Sequence, residues 1–210
     1  MNLLPTPNPD RPYRLGLMGG TFDPIHYGHL VTAETARTHF FLDEVVFVPS
    51  GRPPHKLGGN TSGGEDRLMM TQMAVVDNPG FNVSDMELRR QGLSYSIDTV
   101  REFLRLYGPA TQLFFITGAD AILQIASWHE ADRLLQLCTF IAATRPGFDL
   151  RELDRLPQEW RRHIRLFEIP ALAISSTDIR RRVAAGETIK YLLPEQVEHY
   201  ISRRGLYREE

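Results

Sequence analysis

The feature that most constrains the fold is a set of apolar runs that each end at glycine or proline. The runs RLGLMGG (14–20), DEVVFVPS (43–50) and TQLFFITG (111–118) each have the length of a buried strand. Amphipathic stretches lie between them, and LVTAETARTHFF (30–41) has its apolar residues at helical spacing. This alternation predicts an α/β fold of the doubly wound, Rossmann-like type, a mostly parallel sheet with helices on both faces.

The rest of the chain continues the alternation. We expect further strands over 81–85, 138–147 and 164–169, and helices over 65–76, 96–107, 121–126, 130–137, from Ser175 or Ser176 to Gly186, and from Pro194 onward. The segment 51–66 is predicted to be a loop because it is rich in glycine and proline. Parallel sheets of this kind bind ligands at the carboxyl ends of their strands, so we expect a site there.

Composition limits the class of protein. The chain has 210 residues, 42% of them hydrophobic, and a net charge of −2, which indicates one domain without a strong field for nucleic acid or membrane. We predict a flexible tail over 1–13 and a single domain over 14–210, with a small helical part from about 171. The polar, proline-rich opening favours a cytoplasmic protein, and Cys138 is expected to be a small core residue. The oligomeric state stays open, a homo-oligomer included.

The stretch LMGGTFDPIHYGHL (17–30) combines features typical of a phosphate site. Gly19 and Gly20 would let a ligand approach the backbone, and Asp23 is biased to an extended conformation because proline follows it. His26 and His29 are three residues apart at the start of a predicted helix, which puts both rings on one face. The helix N-terminus favours an anion, and the histidines can donate hydrogen bonds to phosphate oxygens.

Other readings of this stretch are weaker. The sequence has neither the P-loop pattern nor the dinucleotide pattern G-x-G-x-x-G. A zinc pair on a helix is usually supported by further ligands. His26 and His29 could also be incidental polar residues at a helix start. The two glycines, the Asp-Pro pair and Gly28 in the same short stretch argue against that reading. We expect Gly28 to keep the helix start open to a nucleotide.

The segment ISSTDIRRR (174–182) is a second candidate anion site. Three hydroxyl residues open a predicted helix, and Arg180 lies one turn inside it. Helix capping explains one serine well, but it explains Ser175, Ser176, Thr177 and Arg180 together poorly. A site for the β- and γ-phosphates of a nucleotide explains all four.

These motifs resemble a known family. GGTFDPIHYGH (19–29) is similar to the H-x-G-H signature of the nucleotidylyltransferase superfamily, and its longer form resembles bacterial nicotinate mononucleotide adenylyltransferases. Further segments resemble that family in the same order along the chain: VPSGRPPHK (48–56), LSYSIDTV (93–100), FFITGAD (114–120), TRPG (144–147) and ISSTDIR (174–180). The departures are Ser96 where threonine is common, a glycine-rich 57–64 loop and a longer N-terminal tail.

The resemblance implies transfer of AMP from ATP to nicotinate mononucleotide, with Mg²⁺ carried mainly by the phosphates and no dedicated protein cage. It implies that His26 and His29 are catalytic. The residues expected to bind ATP are Gly19, Gly20, Thr21, Phe22, Gly28, Gly118, Asp120, Arg145, Ser175, Ser176, Thr177 and Arg180. The residues expected to bind the mononucleotide are Asp23, His55, Lys56, Tyr95, Ser96, Trp128 and His129.

Several roles stay open. Asp120 could cap a short helix or bind ribose hydroxyls, and Trp128 could be a core residue or stack on the pyridine ring. His55 could belong to a rigid loop only, whereas Lys56 is expected to contact phosphate and Arg145 to stack on adenine. The competing functions are another adenylyl or cytidylyl transferase, such as the phosphopantetheine enzyme, and a regulatory nucleotide-binding module without turnover.

Overall fold

A computed structural model describes residues 11–52, 61–145 and 147–208. Six strands form one sheet in the order β3-β2-β1-β4-β5-β6, and every neighbouring pair is parallel. The strands are β1 (Arg14–Gly20), β2 (Glu44–Pro49), β3 (Phe81–Val83), β4 (Gln112–Gly118), β5 (Thr139–Thr144) and β6 (Ile164–Glu168). The predicted doubly wound parallel sheet is confirmed.

Helices connect the strands. They are α1 (Tyr27–His39), α2 (Gly64–Val75), α3 (Met86–Arg89), α4 (Ser96–Tyr107), α5 (Ala119–Ile122), α6 (Ala131–Leu137), α7 (Gln158–Arg161), α8 (Ser176–Ala184) and α9 (Glu195–Arg204), with 3₁₀ helices at Ile125–Ser127 and Leu150–Arg155. β1 and α4 have the predicted bounds. The sequence did not predict α3, α7 or the second 3₁₀ helix, because segments of four to six residues are too short to show a period.

The helices cover the two faces of the sheet separately. Strand side chains alternate between faces, so that Leu17 and Met18 enter different hydrophobic clusters. One cluster, here called the α1 face, takes buried residues from α1, α2, α8 and α9; examples are Ala33, Met70, Ile179 and Val197. The other, the α4 face, takes residues from α3 to α6, among them Met86, Ile97, Ile122 and Leu134. The C-terminal helices therefore share a core with α1.

The strand order changes direction beside β1. From β1 the chain builds outward to β2 and β3, then returns to place β4 on the other side of β1. The two connections diverge at the carboxyl ends of β1 and β4, which opens a crevice where this fold class binds ligands. Gly20 lies at that edge, opposite Pro49 in the register of β1 and β2.

Residues near the N-terminus contact the sheet within the segment that was predicted to be a tail. Residues 1–10 of the predicted 1–13 tail lie outside the described residues, but Arg11 pairs with Asp43. The Tyr13 side chain is buried, and its hydroxyl donates a hydrogen bond to Glu44 Oε2 at 3.3 Å. Tyr13 is therefore part of the core rather than of a tail. Cys138 is buried, as predicted, and no helix of the described part is long and apolar enough to cross a membrane.

Candidate active site

The loop between β1 and α1 places the first motif at the carboxyl edge of the sheet. A Cβ at position 20 would lie 2.8 Å from the Phe22 ring, so only glycine fits there without displacing that ring. Phe22 has a φ of 50° and is buried against Phe47, with ring centroids 5.7 Å apart. Its ring also meets the His29 ring edge to face at 5.1 Å. The Phe22 anchor therefore fixes one side of the histidine pair.

The two histidines of the motif stack on each other. Their ring centroids are 3.7 Å apart with an interplanar angle of 25°. His26 is the N-cap of α1, and His29 lies one turn inside the helix. The backbone N–H of His26 donates to Nδ1 of His29 at 3.2 Å. Helical spacing has brought both rings together at one helix end, as the sequence predicted.

Both rings are neutral at neutral pH. Burial lowers the pKa of His26 to about 4. Burial, and to a smaller extent the proximity of His26, holds the pKa of His29 well below its usual value. Because Nδ1 of His29 accepts a hydrogen bond, the proton of its neutral ring resides on Nε2. His29 is therefore a neutral N–H donor with a fixed tautomer.

Gly28 is required by the His26 ring. A Cβ at position 28 would lie 2.9 Å from both Cε1 and Nδ1 of that ring. Glycine at position 28 therefore makes room for the neighbouring imidazole of His26. Room for a nucleotide at this position stays a prediction.

The N-terminus of α8 docks against the same loop. Ser176 Oγ donates to the carbonyl oxygen of Pro24 at 2.8 Å, and Arg180 Nη1 donates to that of Asp23 at 2.7 Å. Ser175 is the N-cap of α8 and accepts from the Asp178 N–H, while Thr177 lies exposed beside it. Two predicted anion sites, about 150 residues apart in sequence, are therefore one surface in the fold.

Asp23 is enclosed by protein groups, so its carboxylate is not open to the mononucleotide that the sequence led us to expect there. It is 2% exposed, and its two carboxylate oxygens accept hydrogen bonds from the Tyr207 hydroxyl (2.7 Å) and the Ser62 N–H (3.2 Å). The guanidinium of Arg67, itself 4% exposed, donates to the carbonyl oxygen of Thr21 at 2.9 Å. Sequence reasoning missed Arg67 and Tyr207. The position of Arg67 inside a predicted helix was a weak signal for it, and no local pattern indicated Tyr207.

The next strand end places further predicted residues along the crevice. Gly118 closes β4 and is the N-cap of α5, with open space where a Cβ would stand. The Asp120 side chain is exposed, and no hydrogen bond or ion pair joins it to another described residue. The N-cap of the short helix is Gly118 rather than Asp120, and ribose binding by Asp120 stays a prediction. Arg145 is exposed directly after β5.

Predicted mononucleotide residues gather on the α4 face. Ser96 is the first residue of α4 and Tyr95 its N-cap. The Tyr95 and His129 rings are 4.3 Å apart. Trp128 is half-buried and packs edge to face against Phe115 at 5.8 Å, while its backbone N–H donates to Ile125 O at 2.9 Å. Trp128 therefore combines a core contact with an accessible part, and its own amide is already used.

The turn after Trp128 is tied to α4. Arg101 of α4 donates two hydrogen bonds to the Glu130 carboxylate, at 3.1 and 3.3 Å, and Arg133 donates a third at 2.7 Å. These contacts lower the pKa of Glu130 to about 2. The two segments carrying Tyr95 and His129 are thus fixed relative to each other.

Two predicted residues, His55 and Lys56, lie outside the described residues. The start of their loop is anchored, since Ser94 N–H donates to Arg52 O at 3.0 Å. A Cβ at Gly51 would lie 2.2 Å from the carbonyl oxygen of Glu87, so this position requires glycine. In the described part of the chain no group of three or more His, Cys, Asp or Glu could hold a metal ion.

Known proteins are similar to this chain in sequence and in fold. A family model described as "Cytidylyltransferase-like" matches residues 17–182. A Moorella thermoacetica protein named "Probable nicotinate-nucleotide adenylyltransferase" is 61% identical over 94% of this chain and 93% of its own length. A protein of the same name from Thermoanaerobacter sp. is 53% identical over 96% and 97%.

Solved structures agree on the fold. A Plasmodium falciparum nicotinic acid mononucleotide adenylyltransferase complexed with NaAD superposes with a TM-score of 0.75 at 22% identity, covering 93% of this chain and 97% of its own. The family model matches most of the chain, and both bacterial relatives are more than 50% identical to it. The chain therefore belongs to the cytidylyltransferase-like family and, within it, to the nicotinate-nucleotide adenylyltransferases.

Proposed function

We propose that this chain transfers AMP from ATP to nicotinate mononucleotide and releases deamido-NAD and pyrophosphate. The observation that carries the proposal is the stacked pair of neutral histidines, His26 and His29, beside the N-terminus of α8 and Arg180. The names of the two bacterial relatives support the same reaction. Their coverage of both chains supports it for the whole protein rather than for a part.

The reaction is an in-line displacement at the α-phosphorus of ATP. An oxygen of the mononucleotide phosphate forms the new bond to that phosphorus, while the bond to the bridging oxygen of the β-phosphate breaks and takes its electron pair to pyrophosphate. The attacking phosphate is ionised at neutral pH, so no general base is required. Catalysis then rests on positioning and on stabilising charge at the transferred phosphate.

The histidine pair supplies the charge stabilisation. Nε2–H of His29 is a donor whose tautomer the His26 backbone fixes, and it needs no reorganisation when negative charge grows on a phosphate oxygen. A neutral donor is also less strongly solvated than an imidazolium, which suits a buried position. We assign His29 to the α-phosphate and its bridging oxygen, with His26 stacked against it as the second donor.

The α8 terminus is assigned to the departing pyrophosphate. Free N–H groups in the first turn of a helix and a guanidinium are suited to an anion. Ser175, Ser176, Thr177 and Arg180 all belong to this end, and two of them already contact the histidine loop. Gly19 and Gly20 let the adenosine approach the sheet, where Asp120 is assigned to ribose hydroxyls and Arg145 to the adenine face.

The mononucleotide is assigned to the α4 face of the crevice. A nicotinate carboxylate only accepts hydrogen bonds, and the N–H groups at the start of α4, beside Tyr95 and Ser96, favour an anion. Because the Trp128 amide is already bound to Ile125 O, the His129 amide is the candidate second donor. The exposed part of the Trp128 ring is assigned to the pyridine.

Mg²⁺ is assigned to the ATP phosphates rather than to a protein cage. A magnesium ion keeps several waters and needs few protein ligands when a triphosphate supplies oxygens. When bound there it neutralises phosphate charge. The partners that we propose are the two small-molecule substrates, and we propose a cytoplasmic location, as the sequence leads us to expect.

An acceptor panel tests the proposal. Purified protein, ATP and Mg²⁺ are incubated with nicotinate mononucleotide, nicotinamide mononucleotide or phosphopantetheine, and both pyrophosphate and the adenylylated product are quantified. We expect deamido-NAD and pyrophosphate in equal amounts with the first acceptor. Turnover with phosphopantetheine alone would establish the competing transferase, and no turnover with any acceptor would favour a regulatory nucleotide-binding module.

A further inference from the structure

The C-terminal turn reaches the histidine loop through a buried polar cluster. Its members are Asp23 of the loop, Ser62 and Arg67 at the start of α2, and Tyr207 after α9. We infer that Tyr207 is a positioning residue for AMP transfer, acting through Asp23 on the loop that presents the histidines. This inference rests on the proposed function and extends the active-site machinery to a residue near the end of the chain.

Tyr207 supplies a specific donor to a carboxylate that cannot reach bulk water. Its hydroxyl is 2.7 Å from Asp23 Oδ1, and Asp23 is only 2% exposed to solvent. A buried carboxylate needs a donor for each oxygen, because an unpaired buried charge is costly. The Ser62 N–H serves the other oxygen at 3.2 Å. Among the described residues, the Tyr207 hydroxyl is the hydrogen-bond donor to Asp23 Oδ1, so Tyr207→Phe removes that donor.

Arg67 holds the same loop from its other end. It donates from Nη1 to Thr21 O at 2.9 Å and from Nε to Ser62 O at 3.1 Å. The loop is therefore fastened at Thr21 by Arg67 and at Asp23 by Tyr207. These contacts fix the path of the loop just before the histidine N-cap at position 26.

Asp23 transmits the position to both halves of the ATP site. Its backbone oxygen accepts from Arg180, and its neighbour Pro24 accepts from Ser176. A shift of Asp23 to find a new partner would move the attachment point of α8 and the approach to His26. Since a misplacement of about 1 Å can cost about a hundredfold in rate, such a shift reaches the chemistry without any contact of Tyr207 with substrate.

The chain offers a matched control for the lost hydroxyl. Tyr200 of α9 donates to Asp66 Oδ1 at 2.8 Å, which is also a tyrosine–carboxylate bond between the C-terminal part and α2. Asp66 keeps a second partner, Arg204 Nε at 3.0 Å, and no hydrogen bond joins Tyr200 or Asp66 to the histidine loop in the described structure. Tyr200→Phe thus removes a similar tie at a place where the inference predicts no effect on catalysis.

The kinetic test compares Tyr207→Phe with Tyr200→Phe in the full chain. For Tyr207→Phe we expect kcat to fall about tenfold, with the KM for nicotinate mononucleotide within about twofold of wild type, because that substrate is assigned to the other face of the sheet. Tyr200→Phe should keep the wild-type kcat, even if its melting temperature falls equally. Equal kcat for the two variants would overturn the inference.

A second measurement does not depend on turnover. The ring carbon–proton NMR signals of His26 and His29, identified from the His26→Gln and His29→Gln spectra, should shift in Tyr207→Phe and stay in place in Tyr200→Phe. Unchanged histidine signals in Tyr207→Phe would overturn the inference even if the wild type proved inactive with ATP and nicotinate mononucleotide. Wild-type inactivity together with shifted signals would reject the proposed reaction and keep the positioning role.

Discussion

The backbone N–H of His26 donates to Nδ1 of His29 at 3.2 Å, and this bond fixes which nitrogen of the second ring carries a proton. Burial keeps the pKa of both rings well below neutrality, so the pair acts as uncharged donors.

The first prediction concerns the pH profile of kcat/KM for ATP, which reports the ionisation of the free enzyme. Because the pKa of each ring in the free protein lies well below 7, raising the pH from 7 to 9 removes no proton from either histidine. We expect kcat/KM for ATP to change less than about twofold over that range. If an imidazolium with an ordinary pKa were required, kcat/KM would fall about tenfold for each pH unit over the same range.

The second prediction concerns stability and pH. An unfolded His26 binds a proton below about pH 6.5, whereas the folded residue binds one only near pH 4. The unfolded state therefore binds more protons between these values, and the free energy of unfolding falls as the pH drops through this window, by about 1–3 kcal/mol for this residue. Denaturant titrations of His26→Gln should show a shallower loss. The exposed His199→Gln is the control, and a shallower loss there as well would contradict the assignment.

The third prediction separates Arg180 from its neighbours. Arg180 contacts the histidine loop, whereas Arg181 pairs with Asp178 and Glu187 on the helix surface. Arg180→Ala should lower kcat/KM for ATP by about 10- to 100-fold, the scale of one lost charged hydrogen bond, with a smaller change in mononucleotide binding. Arg181→Ala should stay within about twofold of wild type. Similar losses at both positions would indicate a general basic patch instead.

The fourth prediction is a preference for nicotinate over nicotinamide mononucleotide. The amide presents an NH₂ group where the proposed site presents N–H donors, and one mispaired buried donor costs about 1–3 kcal/mol. The ratio of kcat/KM values at saturating ATP should therefore favour the acid by about 5- to 100-fold. Trp128→Ala should lower kcat/KM for both substrates without reversing the preference, since stacking does not sense the substituent. An equal or reversed ratio in the wild type would reject the nicotinate assignment and leave adenylyl transfer in place.

Local sequence patterns predict most of the strands and helices of the fold. β1 and α4 were bounded correctly because their apolar runs are regular and their ends carry glycine or a helix start. α7 is a single turn without a period. The polar residues before Tyr13 predict a tail, whereas its contact with Glu44 is made 31 residues away in sequence. Tertiary packing decides such positions.

In the candidate site, too, local patterns predict some features and tertiary packing decides the others. The spacing of His26 and His29 predicted that their rings share a helix face, and the hydroxyls at 175–177 predicted a helix start. The Asp23–Tyr207 hydrogen bond joins residues 184 positions apart, and no local pattern encodes such a contact. Likewise, the Trp128 backbone N–H donates to the Ile125 carbonyl oxygen because residues 125–127 form a 3₁₀ turn. The sequence pattern did not distinguish this turn from the predicted helix around it.

The most direct test of the central claim is pyrophosphate release from ATP and nicotinate mononucleotide by wild type and His29→Ala, with His39→Ala as the control. His39 lies at the exposed far end of the same helix. We predict that folded His29→Ala loses about a hundredfold or more in kcat, the scale of one transition-state donor, with ATP binding less affected and His39→Ala unchanged. Near-normal kcat in folded His29→Ala would contradict the account.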